Sequence, residues 1–271
     1  MRQAQSPAKI NLFLNIVGKR DDGYHLLESL FVPLPGLYDQ ISVEPAHDLT
    51  CEMTPEIPDN IVLKVARRLQ DKYGVKAGAK IKIKKKIPIA AGLGGGSSNA
   101  ATVLKLLCEL WNVKLEGQEA IDFLVQIGAD VPYFLNPQPA FVQGIGEIIT
   151  PVQLDQKLYI LLANPKIKVD TGTVCRKGFP EFAAKIDGED VDVLGDNIFL
   201  GKNDLEANAI SLFPEIQKVL VKLRLLKGCK VARMSGSGAT CFGLFKNAEC
   251  AQKAMDALPR GWWCHYEMLE I

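Results

Sequence analysis

Long apolar runs are missing from this sequence: nowhere do about 18 apolar residues follow one another, although 48% of the 271 residues are hydrophobic. The N-terminal segment also lacks an apolar region followed by a small-residue cleavage site. The seven cysteines are odd in number and form no CxxC pair, which argues for reduced thiols and against a zinc knuckle. We therefore expect a soluble, cytoplasmic protein whose core forms without disulfides or a structural metal.

An excess of charge of either sign is also absent. The 32 Lys and Arg residues nearly balance the 31 Asp and Glu residues, which leaves a formal net charge of +1. No global field would recruit nucleic acid or an anionic membrane surface, and no basic, aromatic surface pattern is present. A few local positive groups would still hold a small anionic ligand. We therefore expect a small-molecule partner, no nucleic acid or membrane partner, and a monomer or homodimer.

Tandem repeats and low-complexity linkers are absent as well, and 271 residues fit one large domain or two modest lobes. Alternating β-branched and apolar residues dominate roughly the first 90 residues and predict strands, whereas apolar stripes at helical spacing predict helices. The predicted strands of the first half lie at 9–17, 26–32, 39–44 and 80–86. The predicted helices begin after residues 59–60, at 97–98 and at 116, the last of them ending at 127.

The second half repeats this mixture. Its predicted strands lie at 157–163, 230–234, 240–245 and 262–269, and its predicted helices near Thr171, Leu205 and Pro214 and at 248–258. Strands and helices in both halves predict an α+β fold with two lobes. We place the boundary near residues 151–156, which divides the chain into lobes 1–154 and 155–271.

The most informative segment is 88–101, which reads PIAAGLGGGSSNAA and carries four glycines within five positions. Glycine lets the backbone come close to a ligand, and the N-terminus of the helix that follows offers unpaired N–H groups to phosphate. The candidate anion-binding residues are Gly92, Gly94, Gly95, Gly96, Ser97, Ser98 and Asn99. The segment has neither the GK[ST] of a Walker A loop nor the GxGxxG of a dinucleotide site. A flexible turn capped by the serines is the alternative.

A second glycine-rich segment, SGSGAT at 235–240, lies between two predicted strands. By itself it predicts a hairpin turn, because such turns commonly join neighbouring strands. Beside the first glycine-rich segment it would form a second wall of a phosphate site. The sequence leaves both interpretations open.

Two polar residues, Lys9 and Asn11, alternate along the first predicted strand and so face the same side of it. A lysine and an amide that project together from a central strand need polar partners. The alternative is an edge strand whose lysine is solvated.

A lone carboxylate, Asp130, lies among apolar residues in the segment GADVPYF at 128–134. A buried carboxylate pairs with a cation or loses solvation energy, and Lys9 is a candidate partner. The alternative is that Asp130 caps a turn before Pro132.

These segments occur in the order and wording of the GHMP kinase family, which the chain resembles along its whole length. Residues 7–12 (PAKINL) resemble the family's first motif, residues 88–101 its second and residues 235–240 its third. Residues 18–25, 128–134, 144–147 and 203–206 add to the resemblance. The resemblance implies a two-lobed GHMP kinase fold. It has a ribosomal-protein-S5-like N-terminal lobe that binds ATP and carries the catalytic groups, and a ferredoxin-like C-terminal lobe that binds the substrate.

The reaction implied by the resemblance uses ATP and Mg²⁺ and moves the γ-phosphoryl group to the 2-hydroxyl of the cytidine diphosphate ester of methylerythritol. Asp130 would accept the hydroxyl proton, while Lys9 would position Asp130 and offset charge on the transferring group. The implied substrate contacts are Asn11, Tyr24, His25 and Thr171. The implied adenine contacts are Asn60, Ile61, Lys86 and Pro88.

Two positions depart from what the resemblance implies. Cys175 stands where related enzymes tend to carry a Tyr or Phe that stacks on cytosine, so either Phe179 or Tyr24 would take over that role. The loop at Ile145 offers no positive group to the substrate diphosphate. The Mg²⁺ ligands stay unassigned, with Ser98 the first candidate and most of the shell made of water and phosphate.

Two other functions remain open from the sequence. A GHMP kinase for another alcohol, such as mevalonate or homoserine, would have no use for His25 on a pyrimidine. A nucleotide-binding scaffold without chemistry would keep the glycine-rich segment but lose Lys9 or Asp130, and both residues are present.

Overall fold

The computed structural model describes residues 1–57, 60–153, 155–186 and 191–271. The chain forms two compact units whose segments alternate along the sequence. The first unit comprises Met1–Ala8, Pro35–Ile87 and Gly94–Pro137, and the second comprises Lys9–Leu34, Pro88–Leu93 and Gln138–Ile271. The lobe boundary between residues 154 and 155 stays a prediction.

Strands and helices alternate in the part of the chain that the structure describes. The strands are β1 (Arg2–Lys19), β2 (His25–Ala46), β3 (Leu49–Met53), β4 (Gly78–Lys84), β5 (Ala140–Gly144), β6 (Ile148–Pro151), β7 (Lys157–Asn164), β8 (Cys229–Met234), β9 (Cys241–Phe245) and β10 (Trp263–Glu270). The α-helices are α1 (Ile61–Tyr73), α2 (Gly95–Trp111), α3 (Gly117–Val125), α4 (Thr171–Arg176), α5 (Val191–Leu200), α6 (Glu206–Leu212), α7 (Glu215–Leu225) and α8 (Ala248–Asp256). A 3-10 helix spans Pro132–Leu135. Among these described helices, none combines the length and the apolar character that crossing a membrane requires.

In the first unit, the C-terminal half of β2 pairs antiparallel with β4, and β3 pairs parallel with β4. Strand β4 alternates as its sequence predicts: Ile81 and Ile83 are buried, whereas Lys82 and Lys84 are exposed. Helix α1 packs against α2, and α2 also contacts the 3-10 helix. The N-terminus of α2 is therefore held on a packed layer of strands and helices.

In the second unit, the N-terminal half of β2 pairs antiparallel with β5, and β5 pairs antiparallel with β6. A separate antiparallel sheet has the strand order β10-β7-β9-β8. Counted along the chain, this order is 4-1-3-2, with helices in the first and last connections, which is a ferredoxin-like arrangement. Helices α7 and α8 pack on this sheet. The predicted ferredoxin-like part of the fold is confirmed.

The two strands predicted at 26–32 and 39–44 are one continuous strand, β2. The intervening Pro33, Pro35 and Gly36 read as turn residues in the sequence. Leu34 and Leu37, however, are buried, and their packing keeps the backbone extended through this segment. Local turn signals therefore gave the wrong interpretation where burial of apolar side chains outweighs them.

Helix α2 begins at Gly95, two residues before the predicted start at residue 97. Gly94 has the left-handed conformation, with a φ of 67°, and turns the chain directly into the helix without a side-chain cap. Capping by the serines is therefore wrong. The sequence also missed β3, β5, β6 and α5. Asp59, predicted to help cap α1, lies outside the described residues.

A buried ion pair supports the turn that precedes the first glycine-rich segment. Asp39 is fully buried in β2, and its carboxylate accepts hydrogen bonds from Lys85 Nζ and from the N–H groups of Lys86 and Ile87. The two backbone bonds measure 2.8 and 3.0 Å. A carboxylate without solvent needs such a complete set of donors.

We expect Asp39→Asn to lower the free energy of unfolding by about 3 kcal/mol, because it leaves the Lys85 ammonium without its negative partner in a buried site. The matched control is Glu119→Gln, which breaks an exposed pair with Lys72 at 2.8 Å and should cost less than about 1 kcal/mol. Urea unfolding of both variants measures the difference. Equal losses would mean that the Asp39 pair contributes no more than a surface pair.

Candidate active site

The N-terminus of α2 presents three backbone donors. In the described part of the chain, no protein atom accepts a hydrogen bond from the amides of Gly95, Gly96 and Ser97. The first helical hydrogen bond runs from the Ser98 N–H to the Gly94 carbonyl at 2.9 Å. Unpaired amides and the positive end of the helix dipole together favour an anion such as phosphate.

The glycines at this helix start differ in their surroundings. A Cβ on Gly95 would lie 2.9 Å from Ile87, so packing explains why this residue is glycine. A Cβ on Gly96 would have one described neighbour within 4 Å, Ile61 at 3.9 Å. Packing does not explain Gly96, and the room beside it suits a ligand that approaches the backbone closely. Two of the residues predicted to contact ATP, Gly96 and Ile61, are thus neighbours.

A hydroxyl relay attaches the start of α2 to β1. The Ser6 hydroxyl lies 2.7 Å from Ser98 Oγ and 2.8 Å from Asn99 Oδ1. A hydroxyl has one proton and Asn99 Oδ1 only accepts, so Ser6 donates to Asn99 and Ser98 donates to Ser6. All three side chains are buried. Ser98 therefore takes part in this attachment, and its contact with Mg²⁺ stays a prediction.

The predicted adenine contacts occupy different places. Asn60 caps α1, because its Oδ1 accepts from the Val62 N–H at 3.0 Å and its Nδ2 lies 3.0 Å from Met53 Sδ. Lys86 is exposed, with its Nζ 4.7 Å from the centroid of the Tyr38 ring. Pro88 is half-buried and belongs to the second unit. The sequence analysis missed the buried pair of Lys85 and Asp39. The signal that could have found it is the carboxylate at the start of the predicted strand 39–44.

Asp130 lies half-buried between α3 and the 3-10 helix, directly before Val131, the N-cap residue of that helix. The Tyr133 side chain is buried close by, and its pKa is raised mainly by burial and further by the negative charge of Asp130. This position fits both predicted roles of Asp130, as a base and as a residue that orders the turn.

In the second unit, Lys9 and Asn11 meet as the strand alternation predicts. Lys9 Nζ donates to Asn11 Oδ1 at 2.7 Å and lies 4.0 Å from the centroid of the Phe31 ring. Asn11 Nδ2 donates to Ser29 Oγ at 2.9 Å, and Ser29 donates its proton to the Phe13 carbonyl. Since that proton is committed, Ser29 can only accept from Asn11, which fixes which end of the amide faces Lys9. Both Lys9 and Asn11 are buried, so the solvated edge-strand alternative is wrong.

The two glycine-rich segments meet beside this strand. The Asn11 N–H donates to Ser235 Oγ at 3.2 Å, and Ser235 donates to the Gly92 carbonyl at 2.9 Å. The Lys9 N–H donates to the Leu93 carbonyl at 3.0 Å. The second segment also joins the antiparallel strands β8 and β9. The hairpin interpretation of SGSGAT is therefore right, and the segment also contacts Gly92. Its role as a second wall of a phosphate site stays a prediction.

The predicted substrate residues form two groups in the second unit. The His25 ring lies 4.9 Å from the Phe179 ring in an edge-to-face arrangement, while Tyr24 is exposed. Burial, and less strongly the charge of Lys19, lowers the pKa of His25 below its ordinary value. Thr171 Oγ1 lies 2.7 Å from Ser237 Oγ in the second glycine-rich segment.

The open question at Cys175 is answered in part by this geometry. Cys175 and Phe179 both pack against the core of the second unit, and Phe179 is the aromatic ring that lies beside His25. Phe179 is therefore better placed than Cys175 to offer a flat face next to His25. Within the described residues, no group of three or more His, Cys, Asp and Glu side chains could hold a metal ion.

The chain belongs to the GHMP kinase family. The GHMP kinases N terminal domain matches residues 60–137, and the GHMP kinases C terminal domain matches residues 180–262. Both matches contain features described above: the first includes the α2 amides and Asp130, and the second includes the SGSGAT segment.

Individual relatives narrow the comparison. A 4-diphosphocytidyl-2-C-methyl-D-erythritol kinase from Paramagnetospirillum magneticum is 39% identical, with 96% of this chain and 95% of that protein covered. The crystal structure of a 4-(cytidine 5'-diphospho)-2C-methyl-D-erythritol kinase is 33% identical and matches with a TM-score of 0.83, covering 99% of both chains. A homoserine kinase from Cytophaga hutchinsonii shares the fold alone, at 18% identity and a TM-score of 0.69, covering 98% of this chain and 93% of its own.

Alanine substitutions at Gly92 and Gly96 should affect stability differently, because only Gly92 is closely packed. A Cβ on Gly92, which has a φ of 75°, would lie 2.1 Å from the Ser235 carbonyl oxygen. We expect Gly92→Ala to lower the free energy of unfolding by about 2–5 kcal/mol, because neither backbone can move away freely. Gly96→Ala should change it by less than about 1 kcal/mol, since alanine suits a helix.

Measuring ATP affinity beside stability distinguishes a glycine required for packing from one required for contact with the ligand. We expect Gly96→Ala to weaken ATP binding at least about tenfold while the protein stays folded, because the added methyl group enters the room beside the α2 amides. Urea unfolding and calorimetric titration with Mg·ATP measure the two effects. Unchanged ATP affinity in this variant would show that the room beside Gly96 does not hold phosphate.

Proposed function

We propose that this protein transfers the γ-phosphoryl group of ATP to the 2-hydroxyl of 4-diphosphocytidyl-2-C-methyl-D-erythritol, a step in forming isoprenoid precursors by the non-mevalonate route. The observation that carries the kinase chemistry is the set of amides at Gly95, Gly96 and Ser97, from which no protein atom accepts a hydrogen bond among the described residues. The choice of acceptor is supported by relatives of that name at 39% and 33% identity over nearly the whole chain.

The phosphate-binding role of α2 follows from what phosphoryl transfer needs. The reaction requires in-line positioning and positive potential where charge develops, with little covalent help from the protein. The three amides supply fixed donors, and the helix dipole supplies positive potential. Bound Mg²⁺ would neutralise phosphate charge, held mainly by the triphosphate and water because the described residues offer no carboxylate cluster.

Asp130 and Lys9 take different roles in this proposal. Asp130, half-buried at the start of the 3-10 helix, accepts the proton of the substrate hydroxyl. Lys9 offsets negative charge on the transferring group. Its ammonium is held by Asn11, and a charge fixed in advance needs no reorganisation when the reaction occurs.

His25 and Phe179 recognise the cytosine ring in this proposal. Burial lowers the pKa of His25, so the imidazole is neutral at neutral pH and offers one donor and one acceptor to the edge of a pyrimidine. Phe179 lies beside this imidazole and offers a flat apolar face. Asn11, Tyr24 and Thr171 would contact the rest of the substrate.

Cellular location and assembly are smaller parts of the proposal. All seven cysteines are free thiols, which supports a reducing, cytoplasmic compartment. A monomer or a homodimer agrees equally well with the sequence.

A substrate panel tests the proposed acceptor. The purified protein is incubated with Mg·ATP and, separately, 4-diphosphocytidyl-2-C-methyl-D-erythritol, mevalonate and homoserine, with ADP release as the readout. We expect rapid release with the cytidylyl ester alone. Release with mevalonate or homoserine would overturn the acceptor assignment, and ATP binding without release would favour the scaffold.

Asp130→Asn should lower kcat by about 10²–10⁴-fold, the usual contribution of a general base, while the Kd for ATP changes little. The amide keeps the size of the side chain but cannot accept the proton effectively. The matched control is Asp122→Asn on α3, a substitution at an exposed carboxylate of the same unit. A near-normal kcat for Asp130→Asn would rule out the base role.

The pH dependence of substrate binding should report His25. The neutral imidazole dominates above its ordinary pKa of about 6.5 and is lost as the pH falls through the lowered pKa. We therefore expect the KM for the cytidylyl ester to be constant from neutral pH upward and to rise only as the pH falls below the ordinary imidazole pKa of about 6.5. His25→Ala should raise that KM at every pH and remove the acidic rise. Equal changes in the KM for ATP would separate His25 from the nucleobase.

A further inference from the structure

Asn203 is a buried amide that the proposed reaction does not use. It lies in the turn between α5 and α6. Its Nδ2 donates to the Met234 carbonyl at 2.8 Å and to the Gly236 carbonyl at 2.7 Å. Its Oδ1 accepts from the Leu205 N–H at 2.9 Å. Both amide protons and the amide oxygen are therefore committed, so the side chain has one orientation.

The backbone on either side of Asn203 is fixed to β1. The Leu14 N–H donates to the Lys202 carbonyl, and the Asp204 N–H donates to the Leu14 carbonyl, both at 2.9 Å. The Asp204 carboxylate accepts from the Ile16 N–H at 2.7 Å. The turn is thus paired with the strand that also carries Lys9 and Asn11.

The Asn203 amide determines how the second glycine-rich segment is oriented. It holds the Gly236 carbonyl, and in a trans peptide the following N–H points the opposite way. That N–H belongs to Ser237, and in the described part of the chain no protein atom accepts from it. A Cβ on Gly236 would lie 3.1 Å from the Gly92 carbonyl oxygen and 3.4 Å from Asn11 Oδ1. The held peptide therefore adjoins both the first glycine-rich segment and Asn11.

We propose that Asn203 is a positioning residue for the phosphoryl transfer, which rests on the proposed function. By its two donated hydrogen bonds it holds residues 234–237 against Gly92 and Asn11, while its own turn is paired with β1. The strand that carries Lys9 and the second glycine-rich segment are thereby kept in one fixed arrangement. Asn203 touches neither reactant and acts through these backbones.

Asn203→Asp tests this role with the least structural change. The aspartate keeps the oxygen that accepts from Leu205 but loses both donors, and it turns a negative charge toward two carbonyl oxygens. We expect amide exchange in the ligand-free protein to become at least about tenfold faster at Ser235, Gly238 and Thr240, whose N–H groups are bonded within or beside this segment. Exchange at Ala209, in α6, should stay within about threefold of the wild type.

The kinetic readout separates positioning from binding. We expect kcat to fall about 10–100-fold, because small misplacements of reacting groups are costly, while the KM for ATP stays near the wild-type value. The α2 amides that would hold the triphosphate are not contacted by Asn203 in the described structure.

Asn247→Ala is the control for a general loss of stability. Asn247 caps α8, because its Oδ1 accepts from the Cys250 N–H at 2.9 Å. The substitution removes this cap in the unit that also contains Asn203. We expect wild-type kcat and wild-type exchange at Ser235, Gly238 and Thr240. Wild-type exchange at these amides in Asn203→Asp would overturn the proposal, as would equal kcat losses in both variants. The exchange result stands even if the wild type phosphorylates another alcohol, so failure of the proposed function is distinguishable.

Discussion

The side-chain amide of Asn11 accepts a hydrogen bond from the buried ammonium group of Lys9 and is itself held by Ser29. Lys9 and Asn11 are almost inaccessible to solvent, so burying the ammonium is tolerated only when its hydrogen-bond partners have good geometry. Ser29 supplies that geometry indirectly, because its proton is committed to the Phe13 carbonyl and it must accept from the amide. A charge held this way is ready before any reactant arrives.

Asn11 also connects the backbone of β1 to that of the first glycine-rich segment. Its N–H reaches the first glycine-rich segment through the Ser235 hydroxyl, which accepts from Asn11 and donates to Gly92. Glycine at position 92 is required because a methyl group would overlap the Ser235 carbonyl. Glycine at positions 92 and 236 thus has a physical cause, because each leaves room for the backbone of the other segment.

The first unit carries the proposed anion-binding feature, the start of α2. Among the described residues no protein atom accepts from three of its amides, and the hydroxyl relay from Ser6 attaches the helix to its strand. The buried Asp39 carboxylate fixes the turn that precedes Pro88. The buried charge of Asp39 is therefore compensated within the unit, and the helix terminus is the proposed site for an incoming negative group.

Strong local patterns made much of this architecture predictable. Strict alternation predicted β4, helical spacing predicted α1 and α2, and the four clustered glycines marked the tight turn into α2. The alternation of Lys9 and Asn11 correctly placed both side chains on one face. These features depend on neighbours in the sequence, which is why a single sequence reveals them.

Other features depend on partners far along the chain and could not be derived from local pattern. Leu34 keeps β2 extended by its burial, against the signals of the adjacent prolines. The roles of Ser29 and Asn203 come from hydrogen bonds across 18 and 31 residues. The burial of Ser98 and its bond to Ser6 are likewise invisible in the sequence.

The most direct test of this account is a double-mutant cycle between Asn11 and Ser29, read as kcat with saturating Mg·ATP and cytidylyl ester. We expect Ser29 to act on the reaction through the orientation of the Asn11 amide, which donates to Ser29 and accepts from Lys9. Ser29→Ala should therefore lower kcat about tenfold in the wild-type background and less than about twofold in the Asn11→Ala background. Equal effects of Ser29→Ala in both backgrounds would contradict the claim that this amide positions the Lys9 ammonium.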